Sequence, residues 1–484
     1  MGQLRQTAKH SAIYAVGTVI SRLTALVMLP IYTRYLTPSD YGVLELLSMA
    51  IDLSGILIGM RISQAMFRFY ILSDDNMERQ SVVSTVFFTV LIASAAGTSI
   101  LYLTAAPLSA TIFGTDHYIL EFQLFSLTLV TNAISAVGLS YIRAQRKPVL
   151  FILIGIVNLT LQVTFNVLFV VMLHMHVIGV VYGAILSGGL VAAFLSIYLL
   201  INCGISYSQN IAKKIITYIA PLIVASLGAF YVAYADKYFL RVFGGLTEVG
   251  LYALAARIGS VLMTANQAFN MSWNADRFEI VKKTDAKVIF QQVFNYLSAI
   301  LILMGAALSI FAYDFFWFMT DPKFYAAGGI VPILMLAYIL NIYTMFCNFG
   351  IVLEGKTRHI AEASWIKAIF ATLGYVALIP YLGIYGAATT LLIANFVELL
   401  LINQSAKKLY DMELRWKNIQ LMIGWAAFFV VISVLLPYGN IESFLLRIIL
   451  FAILIVIFYK LPILEQSDRI KIKKVMTRIY KITK

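Results

Sequence analysis

Three arginines stand inside long apolar stretches of the chain, where a charged side chain is costly. They are Arg22, Arg61 and Arg257. A charge at membrane depth costs about 2.5 to 3.5 kcal/mol on insertion scales, so each needs a partner or an aqueous cavity. A guanidinium forms forked, charge-assisted hydrogen bonds with phosphate groups, which makes these arginines candidates for an anion site. A structural ion pair, for example with Asp52, is the alternative, and for Arg61 snorkelling to lipid headgroups is equally plausible.

Acidic residues share the apolar stretches with the arginines. Glu45 and Asp52 are seven residues apart, which places them on one face of a helix. Asp236 and Lys237 form an acid-base pair near the end of a later stretch. Glu45, Asp52 and Asp236 are therefore candidates for coupling to a proton or sodium ion, and Lys237 is a further cation candidate for the anion site. Fixed counter-ions to the arginines, or plain interfacial residues, are the alternative.

Amide side chains recur every four residues along two of the apolar stretches and stand seven residues apart along a third. Amides in lipid must find partners, and they hydrogen-bond well to sugar hydroxyls in a wet cavity. Interhelical hydrogen bonding is the alternative. The candidates for cavity lining are Asn158, Gln162, Asn166, Asn266, Asn270, Asn341 and Asn348.

The composition decides which elements must carry these residues. Of 484 residues, 61% are apolar and only 12% are charged, roughly half the ~25% charged share of a soluble domain. This excludes an ordinary soluble enzyme and predicts an all-α polytopic membrane protein. Uncharged runs, such as the 65 residues from Pro148 to Ala212, must fold back on themselves because ~20 residues cross the hydrocarbon core. Fourteen spans are predicted, at about 11–32, 43–65, 81–103, 119–140, 149–172, 178–201, 215–237, 248–271, 288–311, 329–350, 363–380, 384–402, 418–437 and 444–461.

The positive charges predict the orientation. With a cytoplasmic N-terminus, 28 of the 36 Lys and Arg residues fall in cytoplasmic segments, as the positive-inside rule requires. The opposite loops hold only Arg34, Lys237, Arg241, Lys323 and Arg447. Both termini are thus expected in the cytoplasm, and the net charge of +13 needs no nucleic-acid partner. The basic tail from Asp468 to Lys484 is expected on the anionic leaflet, with partner docking as its alternative.

Two segment pairs indicate an internal repeat. Asp40 and Gly42 match Glu248 and Gly250 at an offset of 208, and a Tyr-Gly-Ala segment at 182–184 matches 385–387 at an offset of 203. Six helices in each half would form two lobes with a site between them. The predicted organisation is an N-lobe at 1–205, a C-lobe at 206–405, and two final helices with the tail at 406–484.

The segments TRYLTPSDYGVLELLSMAIDLSGIL and ADKYFLRVFGGLTEVGLYALAARI resemble the polysaccharide transporter family of the multidrug/oligosaccharidyl-lipid/polysaccharide (MOP) flippase superfamily. The loop segments RAQRKP and LEGKTR are similar to its cytoplasmic loops. The resemblance covers about residues 5–405.

This resemblance implies a flippase of the inner membrane. Its substrate would be an undecaprenyl-pyrophosphate-linked oligosaccharide for O-antigen, capsule or another surface polysaccharide, moved to the outer leaflet by alternating access. The arginines would then receive the pyrophosphate. The resemblance also implies an ion gradient of H⁺ or Na⁺ instead of a bound cofactor. Expected partners are the lipid-linked oligosaccharide and membrane lipids, with other polysaccharide-assembly membrane proteins as a further class.

Two alternatives remain. A multidrug extruder of the same superfamily is disfavoured by the cations near the expected cavity, since like charges repel. A membrane polysaccharide polymerase or ligase would need a sizeable external loop, and the longest predicted one, about 312–328, is too short to fold alone. A metal site is predicted neither by the two cysteines, Cys203 and Cys347, nor by the hairpin His174-Met-His176.

Overall fold

The computed structural model describes residues 28–58, 62–73 and 75–461, and every regular element in these residues is helical. Helix α1 is described over residues 28–35. The later helices are α2 Pro38–Ile58, α3 Ile62–Leu72, α4 Asn76–Leu103, α5 Ala105–Phe113, α6 Ile119–Ser126, α7 Thr128–Ala144, α8 Pro148–Asn166, α9 His176–Cys203, α10 Gln209–Gly244, α11 Leu246–Ile280, α12 Ala286–Ile310, α13 Ala312–Met319, α14 Val331–Cys347, α15 Phe349–Leu353, α16 Arg358–Leu409, α17 Trp416–Leu435 and α18 Ile441–Lys460.

The predicted all-α, multi-pass membrane architecture is confirmed. In the described part of the chain, 11 helices are long and apolar enough to cross a membrane, or 12 if the bent helix α10 is one span. Helix α16 covers two of the predicted spans, since its 52 residues turn at Gly383, where φ is 51°. Most of the predicted span 11–32 lies outside the described residues, so the count of fourteen stays a prediction.

The chain packs as two compact units, Met1–Gly250 and Leu251–Lys484. The core of the first unit is formed by apolar side chains of α3, α4, α7, α9 and α10, such as Val86, Val137 and Ile215. Helix α10 packs on α2, α3 and α4. Helix α10 therefore brings its polar residues to α2 within the first unit.

The second unit has an aromatic core. Trp273 stacks on Phe346, with ring centroids 5.3 Å apart, and Phe290 meets Trp273 edge-on. Helix α12 packs against α14 and α17, and α14 packs along α16. These contacts bury apolar faces that the 61% apolar composition supplies.

The paired glycines of the predicted repeat contact each other within the first unit. A Cβ on Gly42 would overlap the carbonyl oxygen of Leu246, and a Cβ on Gly250 would overlap that of Pro38. Pro38 and Leu246 are themselves 208 residues apart, so the contact is reciprocal. Only glycine permits this approach of two backbones, and it fixes the start of α2.

Candidate functional site: an ionisable cluster between two helices

Helices α2 and α10 bring five polar residues together, which we term the α2–α10 cluster: Glu45, Asp52, Tyr234, Asp236 and Lys237. The Lys237 ammonium forms an ion pair with Glu45, with Nζ 2.8 Å from Oε1 and both side chains only 12–13% exposed. The Tyr234 hydroxyl donates a hydrogen bond to Oδ2 of Asp52. The ion-coupling candidates of two distant segments therefore meet at one place.

Lys237 links the members of the cluster. Its ammonium lies 4.5 Å from the centroid of the Tyr234 ring, which adds a cation–π attraction. Its backbone N–H donates to Oδ1 of Asp236 at 2.8 Å, and Asp236 is buried. The cluster thus holds three carboxyl groups in three different contacts: Glu45 pairs with the ammonium, Asp236 accepts from a backbone N–H, and Asp52 accepts from a tyrosine hydroxyl.

Local sequence explains how each helix presents these side chains. Seven-residue spacing puts Glu45 and Asp52 on one face of α2, and three-residue spacing does the same for Tyr234 and Lys237 on α10. At the start of α2, the Thr37 N–H donates to the Asp40 carboxylate and the Asp40 N–H donates to the Thr37 hydroxyl, at 2.9 and 3.1 Å. This reciprocal pair has the form of a capping box.

An apolar cavity adjoins the cluster. Its volume is about 410 Å³, and its wall includes Met49, Leu53, Phe230, Tyr231, Tyr234 and Phe239. Since Tyr234 belongs to both, the Asp52–Tyr234 hydrogen bond lies at the edge of this cavity.

The arginine candidates are placed unevenly. Arg22 and Arg61 lie outside the described residues. Arg257 stands on an exposed side of α11, where its backbone carbonyl accepts a hydrogen bond from Oγ of Ser260. The structure therefore does not bring the three candidate arginines into one described site.

The amide candidates of the first unit divide between half-buried and buried positions. Asn158 and Gln162 are half-buried. Asn166 is fully buried, neither of its amide atoms has a hydrogen-bond partner, and its side chain lies against Gly183. Asn166 therefore packs between α8 and α9 instead of continuing an open polar stripe.

The amides of the second unit divide in the same way. Asn266 is buried and its Nδ2 lies 3.8 Å from Sδ of Met345, which is an interhelical contact. Asn270, Asn341 and Asn348 are half-buried, and Oδ1 of Asn348 has no hydrogen-bond partner. Interhelical packing thus accounts for Asn266, while the other three keep some access to solvent or a cavity.

Two buried ion pairs of the second unit were missed by the sequence analysis. The Lys367 ammonium lies 2.8 Å from Oε2 of Glu398, whose Oε1 accepts a hydrogen bond from Ser364. The two residues are 31 positions apart and lie on either side of the turn inside α16. Helical periodicity therefore could not predict their ion pair.

Arg447 is the other missed residue, and its assignment to an external loop is wrong. It is fully buried in α18. Its Nη1 donates to both oxygens of Asp314, at 2.9 and 3.1 Å, and its other nitrogens donate to Ser433 and to the carbonyl of Leu436. The apolar residues on both sides of Arg447 in the sequence could have indicated that it lies within a helix.

Residues 7–273 match the family model described as polysaccharide biosynthesis protein. The chain belongs to this family. The family resemblance read from the sequence is thereby confirmed.

One relative of the chain is the "Lsg locus putative protein 1" of Haemophilus influenzae (strain ATCC 51907 / DSM 11121 / KW20 / Rd). It is 25% identical over 412 residues, which cover 80% of this chain and 97% of the relative.

Two solved structures share the fold of this family member. The lipid II flippase MurJ in an inward closed conformation matches with a TM-score of 0.65 and 14% identity, over 93% of this chain and 99% of MurJ. An inward-facing multidrug resistance MATE transporter of the MOP superfamily matches with a TM-score of 0.59 and 17% identity, over 82% and 97%. The protein is therefore a multi-pass membrane protein with the fold of MOP flippases and transporters.

Proposed function

We propose that the protein is a flippase that moves polyprenyl-pyrophosphate-linked oligosaccharide units from the cytoplasmic to the outer leaflet of the inner membrane. The observation that carries the proposal is the family match over residues 7–273 in a chain whose fold is like that of a lipid II flippase. A lipid-linked sugar is consistent with both observations, because it is a precursor for polysaccharide biosynthesis and a lipid that a flippase can move. The product would serve O-antigen, capsule or another surface polysaccharide.

The pyrophosphate would be bound by Arg22, Arg61 and Arg257. Guanidinium groups match phosphate oxygens with two parallel hydrogen bonds, and such bonds strengthen away from bulk water. Half-buried amides such as Asn158 and Gln162 would hydrogen-bond the glycan. Lys237 is engaged by Glu45, so in this proposal it balances the acids instead of binding the substrate.

The α2–α10 cluster would couple transport to an ion gradient of H⁺ or Na⁺. Asp52 accepts a hydrogen bond from the neutral Tyr234 hydroxyl, while the Lys237 ammonium pairs with Glu45, so a proton or sodium ion bound at Asp52 would neutralise its charge. A neutral group at membrane depth is less costly than a charged one. Cation binding and release at Asp52 would then bias the helices between two arrangements.

Alternating access would complete the cycle. The headgroup and glycan would enter from the cytoplasm while the polyprenyl tail stays in lipid, and rocking of the two lobes would expose the glycan outside. The excess of positive charge in one set of loops supports cytoplasmic termini.

Complementation of surface glycan tests this function. Wild type and the variants Arg22→Ala and Arg257→Ala would be expressed at matched membrane levels in a strain lacking its own flippase. Arg358→Ala is the control, because Arg358 is exposed and its ion pair is with Glu362, one helical turn away. We expect wild type and the control to restore outer-leaflet glycan, while the two variants accumulate the precursor inside. Failure of wild type on several glycan backgrounds contradicts the proposal.

A multidrug efflux function is the second candidate, since the fold is also like that of a MATE transporter and an acidic cluster attracts cations. Raised drug resistance without restored glycan would favour it. A polymerase or ligase activity would instead change polymer length after translocation.

A further inference from the structure

The same arrangement of three side chains occurs once in each unit, and the functional site above does not use it. In the first unit, α3 carries Arg68 followed by Phe69; in the second, α11 carries Arg277 followed by Phe278. The two dipeptides are 209 residues apart, within one residue of the offset that relates Gly42 to Gly250. We name these the Arg-Phe sites.

The first Arg-Phe site is built on Tyr218 of α10. The guanidinium carbon of Arg68 lies 4.6 Å from the centroid of the Tyr218 ring. The ring of Phe69 meets the same tyrosine edge-on, with centroids 6.1 Å apart and an interplanar angle of 87°. Tyr218 thus contacts both side chains of the first Arg-Phe site.

The second Arg-Phe site repeats this geometry on Phe349 of α15. The guanidinium carbon of Arg277 lies 5.1 Å from the Phe349 centroid, and Phe278 meets Phe349 edge-on at 5.3 Å and 76°. Nε of Arg277 is buried without a hydrogen-bond partner, and burial lowers the pKa of this guanidinium. Two units that repeat a contact in such detail point to a shared role.

Both guanidiniums lack an acidic partner in the described part of the chain. The ion pairs found there use other cations, among them Lys237, Lys367 and Arg447, and neither Arg68 nor Arg277 takes part in them. The N–H donors of a guanidinium lie in the plane of that group, where two parallel hydrogen bonds to a phosphate can form. The geometry is that of an anion receptor.

The surroundings of Arg68 add positive charge. An open cavity of about 570 Å³ is lined by Phe69, Asn210, Lys213, Lys214 and Thr217. Residues 210–217 belong to the first turns of α10, which begins at Gln209, and a helix N-terminus favours anions. Lys213 and Lys214 are exposed, so they can approach a ligand without breaking an internal contact.

We infer that Arg68, with Lys213 and Lys214, binds the phosphate headgroup of a membrane lipid, and that Arg277 forms the second site of the same class in the other unit. Arg68 follows the predicted span 43–65 and Arg277 follows the predicted span 248–271, so both fall in segments that the loop charges assign to the cytoplasmic face. This headgroup belongs either to the lipid-linked substrate or to a neighbouring phospholipid. The first source rests on the proposed function.

Binding measurements on the full chain test this inference. The protein in nanodiscs of neutral phosphatidylcholine would be titrated with undecaprenyl pyrophosphate in one arm and with phosphatidylglycerol in the other, with native mass spectrometry as the readout. We expect the double variant Arg68→Ala/Arg277→Ala to bind the preferred probe at least tenfold more weakly, because charge-assisted bidentate bonds are lost. The Arg68→Lys/Arg277→Lys variant should lose about threefold, since it keeps charge but not the fork.

The controls separate this site from the flippase function. Arg358→Ala should bind as wild type does, and unchanged melting of the double alanine variant would show that it is folded. Preference for undecaprenyl pyrophosphate identifies the substrate as the source, and equal binding of phosphatidylglycerol identifies bulk lipid; either supports the site. A folded double variant that binds both probes like wild type overturns it. Glycan complementation by wild type is judged separately and tests the proposed function alone.

Discussion

The two units arrange the charges on their helices differently. In the first unit, the α2–α10 cluster holds three carboxyl groups, of which Glu45 pairs with the ammonium of Lys237 and Asp52 accepts from the Tyr234 hydroxyl. In the second unit, Lys367 and Glu398 neutralise each other one to one, with side chains 5% and 10% exposed, and Arg447 is matched by Asp314. A neutral pair is complete in itself, whereas Asp52 is hydrogen-bonded to a hydroxyl group that carries no positive charge. The comparison separates charges that hold helices together from charges that can change state.

The largest expected effect is on stability, at the neutral pair. Glu398→Ala leaves Lys367 charged and buried without its partner, which should destabilise the protein by about 3–5 kcal/mol. Thermal unfolding in detergent would measure this. The double variant Lys367→Met/Glu398→Leu is the control and should be near neutral, because it removes both charges together. If Glu398→Ala melts like wild type, the ion pair between Lys367 and Glu398 does not stabilise the protein.

The next effect is on transport, at the cluster. Asp52→Asn preserves shape and can still accept the hydrogen bond from Tyr234, but it cannot exchange a proton or balance a cation. We expect transport to fall at least tenfold with little change in melting, as measured by glycan complementation. Asp75→Asn, at an exposed position with no side-chain cap hydrogen bond, should transport normally. Full activity of Asp52→Asn would remove the distinction drawn between the two units.

A third prediction concerns the contact that fixes α2 beside the cluster. Gly42→Ala forces a Cβ into the Leu246 carbonyl, and overpacking of this kind costs about 1–3 kcal/mol. The expected result is a lower melting temperature and weaker complementation. Gly424→Ala is the matched control, since a Cβ there meets nothing within 4 Å. Equal behaviour of the two variants would mean that the backbones at Gly42 separate at little cost.

The smallest effect is expected at Tyr234. Tyr234→Phe removes the hydrogen bond to Asp52 but keeps the ring under Lys237. Transport should fall roughly two- to fivefold, in line with about 0.5–1 kcal/mol, the lower part of the range for one hydrogen bond, and its pH dependence should shift because Asp52 loses a donor. An unchanged pH profile would place Tyr234 outside the coupling group.

The sequence predicted a large part of the cluster. Glu45 and Asp52 were found from their spacing on one helix, and Asp236 and Lys237 from their place in an apolar stretch. Tyr234 was missed because one tyrosine among 28 carries no signal until its partner is known. The partnership of Lys237 with Glu45 was missed for the same reason, since it joins residues of two separate helices.

The amide stripes show where local periodicity fails. From their four-residue spacing, Asn158, Gln162 and Asn166 are predicted to share one face of α8. The structure buries Asn166 against Gly183 while the other two stay half-buried. A helix face is not uniform along its length, because the neighbouring helix covers one part and leaves another open.

By itself, the sequence determined the class of the protein, the helices and the family. These follow from hydropathy, charge-free length and short motifs, which are properties of neighbouring residues and survive without a fold. Only the tertiary structure decided which charges are paired: Asp52 meets Tyr234 across 182 residues, and Arg447 meets Asp314 across 133. The energy of a charge at membrane depth depends on groups a few ångströms away in space, and packing of helices, not order in the chain, sets those distances.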